Sequence, residues 1–127
     1  MNRGAVVALV PALLYLVTAF YVGSIDQDPL AVVQFHWKDK LLHALFFGVM
    51  QRTHYRAFEY LRPGAAPRTI SVWAFMTAAA AGILLEVWQA FLPHRTAELW
   101  DAIADAVGAA LFAWLFLHLG TARRARA

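Results

Sequence analysis

The sequence predicts an all-α integral membrane protein: one domain over residues 1–127, built as a bundle of four transmembrane helices with both termini in the cytoplasm. Three observations carry this expectation. Hydrophobic residues make up 61% of the chain and charged ones only 15%, a balance outside the soluble class and inside the membrane class. The apolar residues are gathered into long stretches separated by polar or basic turns. Those turns differ in the sign of their charge, as the positive-inside rule requires of a multi-pass protein.

The first helix is read over residues 4–22, which carry no charge and follow Arg3. At ~1.5 Å per residue this stretch about spans a hydrocarbon core. A cleaved signal peptide would have a shorter apolar region, roughly 7 to 15 residues, and a small-residue cleavage site that this sequence lacks. Pro11 marks a place for a kink. Residues 23–37 carry Asp26, Asp28 and Pro29 and then an apolar-aromatic patch at 30–37, so they read as a loop partly lying in the membrane interface.

The second helix, over about 38–57, has the weakest membrane signal. Its uncharged run, 41–51, crosses only if Lys38 and Lys40 at one end and Arg52 or Arg56 at the other snorkel toward the headgroups. Residues 52–68 are basic and broken by Pro63-Gly64 and Pro67. A third helix over 69–92 contains Glu86 as its one formal charge and a small-residue run at 78–82 that lets a neighbour approach closely. Pro93 ends it. The fourth helix runs over 99–119, and Arg123, Arg124 and Arg126 follow, suited to anionic headgroups.

If the four helices alternate, Arg3, Arg52, Arg56, Arg62, Arg68, Arg123, Arg124 and Arg126 share one side with Glu59 as the only acid. The other side holds Lys38, Lys40 and Arg95 against Asp26, Asp28, Asp39, Glu86, Glu98, Asp101 and Asp105. The basic side is cytoplasmic. Basic residues dispersed in this way report topology and not a nucleic-acid surface.

The unusual polar residues fall on the outer side at helical spacing. Lys40 and His43 are i,i+3; Glu86 and Gln89 are i,i+3; Asp101, Asp105 and Gly108 are i,i+4,i+7. Ala78, Gly82 and Glu86 share a face, so Gly82 and Gly108 read as helix-packing positions. Because a lipid-facing carboxylate is costly, these faces are expected to turn inward and converge. The cluster of Lys40, His43, Glu86, Gln89, Arg95, Asp101 and Asp105 has two readings. It is a network in which Lys40 and Arg95 neutralise Glu86, Asp101 or Asp105 and hold the helices together, or a site whose cations bind a phosphate or carboxylate above an apolar groove.

Other chemistry finds less support. The chain has no cysteine, so disulfides and thiolate metal sites are excluded. No metal or other cofactor is expected: a divalent ion on His43, Glu86, Asp101 and Asp105 has no enforcing motif, and His43 as a tetrapyrrole ligand has no second signature. Serine occurs only as Ser24 and Ser71, and no nucleophile elbow, Walker loop or dinucleotide fingerprint is present. A carboxylate acid–base pair among Glu86, Asp101 and Asp105 stays chemically open without a substrate. His36, His54, His94 and His118 lie near span ends, and Trp37, Trp73, Trp88, Trp100 and Trp114 read in part as interface anchors.

At these residues the chain resembles the VanZ-like family of bacterial membrane proteins. That family's pattern is met by Asp39-Lys40-Leu41-Leu42-His43, by Glu86 and Gln89, by Arg95, and by Asp101 followed by Asp105 and Gly108, over about residues 36–118. Asp105 departs from it, since the family usually has asparagine there. The resemblance implies a small multi-pass protein of the bacterial inner membrane, and some members are associated with low-level resistance to the lipoglycopeptide teicoplanin.

The expected function is non-enzymatic or not demonstrably enzymatic, with the question of catalysis left open: a polar, outward-facing intramembrane site that binds an anionic lipid or cell-envelope amphiphile. The alternatives are an accessory or assembly subunit of a larger membrane complex, partnered by other membrane subunits, and a membrane metallohydrolase. Membrane lipids are the expected partners, and nucleic acid is not.

Overall fold

The computed structural model describes residues 3–26 and 37–124, which form four helices and, among the described residues, no strand. They are α1 (Arg3–Ser24), α2 (Lys38–Leu61), α3 (Pro67–Gln89) and α4 (Leu99–Arg124). Three of them, α1, α3 and α4 over Leu99–Leu119, are long and apolar enough to cross a membrane. The expected interfacial patch at 30–37 lies outside the described residues except for Trp37, which is exposed just before α2.

The helix ends follow local chemistry. α1 runs unbroken through Pro11. Pro67 occupies the first position of α3, where its missing N–H is not required, so the helix begins earlier than 69. The turn before it is made by Gly64 at φ +95°, a left-handed conformation that other residues adopt at a cost. α3 stops at Gln89 instead of 92. Phe91 and Leu92 donate to the carbonyls of Trp88 and Gln89 in a tighter turn, because Pro93 disfavours the helical conformation of the residue before it.

α2, the least apolar helix, touches all three others, as α3 does with a slighter contact to α1, while α1 and α4 make no contact with each other. The core between the helices consists of Ala19, Phe47, Met50, Ala78, Ala81, Leu85 and Ala109. Small residues set its width. A Cβ built on Gly108 would lie 1.9 Å from the Ala44 carbonyl oxygen, so α2 and α4 cross backbone to backbone there. A Cβ on Gly82 would lie 2.6 Å from an Asp105 carboxylate oxygen. The outer faces are apolar: Leu13, Leu14 and Val17 on α1, Val72, Met76 and Ile83 on α3, and Val107, Leu111 and Trp114 on α4 are all exposed. In water such faces would promote aggregation, whereas lipid tails solvate them without penalty.

Candidate functional site

Apart from Gln51, midway along α2, the buried acids and amides among the described residues gather at one end, formed by the close of α1 and α3 and the start of α2 and α4. The first turns of α2 and α4 face each other there. Lys40 and His43 lie one turn apart on α2; Glu98, Asp101 and Asp105 lie at i,i+3,i+7 along the start of α4 and so share a face. The Lys40 Nζ is 2.5 Å from Asp101 Oδ1, 2.6 Å from Glu98 Oε2 and 3.5 Å from Asp39 Oδ2. His43 Nδ1 lies 2.9 Å from Asp105 Oδ1, and its Nε2 lies 3.8 Å from Asp101 Oδ2. Asp105 is fully buried, and its second oxygen, held against Gly82, has no hydrogen-bond partner among the described residues. Asp101, in the first turn of α4, also complements the positive end of that helix's dipole.

Glu86 serves the same helix start from α3. Its Oε2 accepts the Glu98 backbone N–H at 2.7 Å, one of the donors that a helix N-terminus leaves without an internal partner. Its other oxygen is buried without a hydrogen bond among the described residues.

Gln89 and Arg95 do different work. Gln89 Nε2 and Arg95 Nε both donate to the Gly23 carbonyl at 3.0 Å, and an Arg95 terminal nitrogen donates to the Val22 carbonyl at 3.3 Å. His94 Nε2 donates to the Ser24 carbonyl at 2.8 Å, and Trp88 Nε1 to the Ser24 hydroxyl at 2.8 Å. These are the last carbonyls of α1, which have no partner within their own helix and carry the negative end of its dipole. The α3–α4 turn is thereby a C-terminal cap for α1.

All seven residues singled out from the sequence thus lie at one end of the bundle, but in two groups. Lys40, His43, Asp101 and Asp105 join α2 to α4, with Glu86 beside them. Gln89 and Arg95 join the α3–α4 turn to α1. Arg95 was expected to neutralise a carboxylate; among the described residues none lies within ion-pair distance of it, and carbonyl oxygens are its partners. Glu98, the second partner of Lys40, was not in the expected cluster, although its spacing from Asp101 and Asp105 carries the signal. The carbonyls of Val22 and Gly23 had no signal, because main-chain acceptors are the same in every residue.

Between the two groups lies a cavity of about 540 Å³. Ala19, Val22, Leu42, Phe46, Phe47 and Leu85 form its apolar part, and Lys38, Asp39, His43, Gln89, His94, Arg95, Thr96, Glu98 and Asp101 its polar part. Its shape and lining suit a ligand with a polar head and an apolar tail.

A divalent ion fits less well. Asp39, His43 and Asp101 can bring ligand atoms within 4.8 Å of one another, but Glu86 is not in that group. The Lys40 ammonium stands among the same carboxylates and already supplies their positive charge.

The fold and the site together define a helical protein with three helices long and apolar enough to cross a membrane and a polar cavity at one end. Comparison with models of known families, with curated proteins and with solved structures finds no match for this chain.

Proposed function

We propose that this chain is a VanZ-like protein of the bacterial inner membrane that crosses four times, with both termini cytoplasmic, and binds the anionic head of a lipid or cell-envelope amphiphile in its outward-facing cavity. The hydrogen bonds from Arg95 and His94 to the end of α1 support the four-span reading. They keep the α3–α4 turn beside the end of α1, so if α1 and α3 cross, α2 has to return the chain between them. The central position of α2 supports this as well, since Lys40, His43 and Gln51 along it turn toward other helices and away from lipid. Exposed aromatic residues near both ends, Trp37, Trp88, Phe91 and Trp100 at one and Trp73 and Trp114 toward the other, suit the two interfaces of a bilayer. The side assignment rests on the arginine-rich turn and termini described above.

The observation that carries the binding reading is Arg95. It is a half-buried guanidinium on the cavity wall, with no carboxylate partner among the described residues. Its two carbonyl partners leave terminal N–H donors unspent among the described residues, and a phosphate or carboxylate is the acceptor that suits such a fork best. The apolar part of the cavity takes the tail.

The test is retention of dioleoyl phosphatidylglycerol by the purified protein in maltoside micelles, read by native mass spectrometry. Arg95→Gln is expected to weaken retention at least tenfold, equivalent to about 1.4 kcal/mol, and Arg95→Lys less. Equal retention by wild type and Arg95→Gln would sink the reading.

A further inference from the structure

We infer that the ligand of this cavity carries a primary ammonium beside its anionic group, as an aminoethyl phosphate head does; this rests on the reading of the cavity as an amphiphile site. Two charge groups of opposite sign line one space. On the α1 side stands Arg95, bound to main-chain carbonyls and balanced by no acid among the described residues. On the α2–α4 side, Asp39, Glu98 and Asp101 gather around Lys40, with Lys38 on the same wall. Carboxylates outnumber ammonium groups there. Among the described residues Arg95 makes no ion pair with Asp39, Glu98 or Asp101, so the two groups line the cavity without neutralising each other.

Lys40 has three N–H donors, and three carboxylates surround it. Each carboxylate has about four lone-pair sites, so Asp39 and Glu98, whose side chains are 63% and 50% exposed, keep acceptor capacity after Lys40 is served. The carboxylates alone would be an acidic surface. Sharing a cavity with an unbalanced guanidinium makes the pair a reader of charge separation. A purely anionic head is attracted by Arg95 and repelled by the opposite wall, whereas a purely cationic head meets the reverse. A head with phosphate toward Arg95 and ammonium toward Glu98 and Asp39 is complementary at both ends. A primary ammonium has three N–H donors to share among those acceptors, whereas a quaternary nitrogen has none.

The experiment offers purified full-length protein in maltoside micelles an equimolar mixture of dioleoyl phosphatidylethanolamine and dioleoyl phosphatidylglycerol, with native mass spectrometry reading the lipid retained. Phosphatidylcholine and water-soluble O-phosphoethanolamine serve as separate competitors. Phosphatidylethanolamine is expected to be retained at least tenfold over the other two lipids. Asp39→Asn with Glu98→Gln is expected to abolish that preference while phosphatidylglycerol is still retained. Weak displacement by O-phosphoethanolamine supports a lipid as the source of the head; efficient displacement overturns the lipid source. Equal or better retention of phosphatidylglycerol by wild type overturns the inference and leaves the anionic reading intact, and equal retention of phosphatidylcholine overturns the primary ammonium. Retention of neither lipid, or retention indifferent to Arg95→Gln, overturns both readings. The lipid series is run on the wild-type chain, so the folding of a variant does not enter it.

Discussion

Asp105 shows how one side chain can serve both packing and polarity. Its Oδ1 meets His43 Nδ1 at 2.9 Å, while its Oδ2 is buried beside Gly82 with no hydrogen bond among the described residues. Removing the imidazole strands the carboxylate, and breaking a buried pair on one side costs about 3–5 kcal/mol. His43→Ala is therefore expected to lower the thermal stability of the detergent-solubilised protein strongly. Asp105→Asn keeps an acceptor oxygen for His43 and removes the buried charge, so its effect is expected to stay within about 1 kcal/mol, the scale of a neutral hydrogen bond. The double variant is then expected to recover more than half of the His43→Ala loss. Melting curves read by aggregation after heating check this, and a double variant no more stable than His43→Ala would contradict the pairing. Spacing made Lys40, His43, Asp101 and Asp105 legible in the sequence, because charged groups at i,i+3 and i,i+4 in apolar helices have to face inward. The partner of Arg95 was not legible, because it is a backbone carbonyl that any residue at position 22 or 23 would present.

At the scale of the element, α2 decides the bundle. Its sequence reads as the weakest span because hydropathy measures suitability for lipid, and α2 is enclosed by α1, α3 and α4. That enclosure depends on the close crossing at Gly108. A methyl group there would sit 1.9 Å from the Ala44 carbonyl oxygen, and only movement of backbone could relieve it. The same change at Gly48 meets the ring of Phe112 at 2.5 Å, and a side chain on an outer helix can rotate. Overpacking costs typically about 1–3 kcal/mol, and backbone clashes lie at or above the top of that range. Gly108→Ala is expected to cost about 3 kcal/mol or more and Gly48→Ala about 1 kcal/mol, a ranking read from midpoints of thermal unfolding in one detergent. The reverse order would mean that α2 and α4 are not held backbone to backbone. The glycine at 108 and the small run at 78–82 were visible in the sequence; the early end of α3 was not, because its apolar run continues through Phe91 and Leu92 while the hydrogen bonding has already tightened before Pro93.

For the whole molecule, the four helices and the three apolar spans were legible because lipid demands long uncharged stretches, whereas the path of α2 depends on how the other helices surround it. The proposed topology makes two turns report on opposite sides of the membrane. Arg95 and His94 bind the end of α1, so the α3–α4 turn and the end of α1 belong together, while the turn between α2 and α3 lies at the other end of the bundle. Native cysteine is absent, and single-cysteine variants therefore need no altered background. In intact cells, Asp26→Cys and Ala97→Cys are expected to react with a membrane-impermeant maleimide, and Ala66→Cys only after permeabilisation. Labelling of Ala66→Cys together with Asp26→Cys in intact cells would mean that α2 does not cross. That result would also separate Asp26 from Ala97 across the bilayer, which the hydrogen bonds from Arg95 to Gly23 and Val22 do not permit, so the labelling pattern tests the topology and the cap on α1 in one measurement.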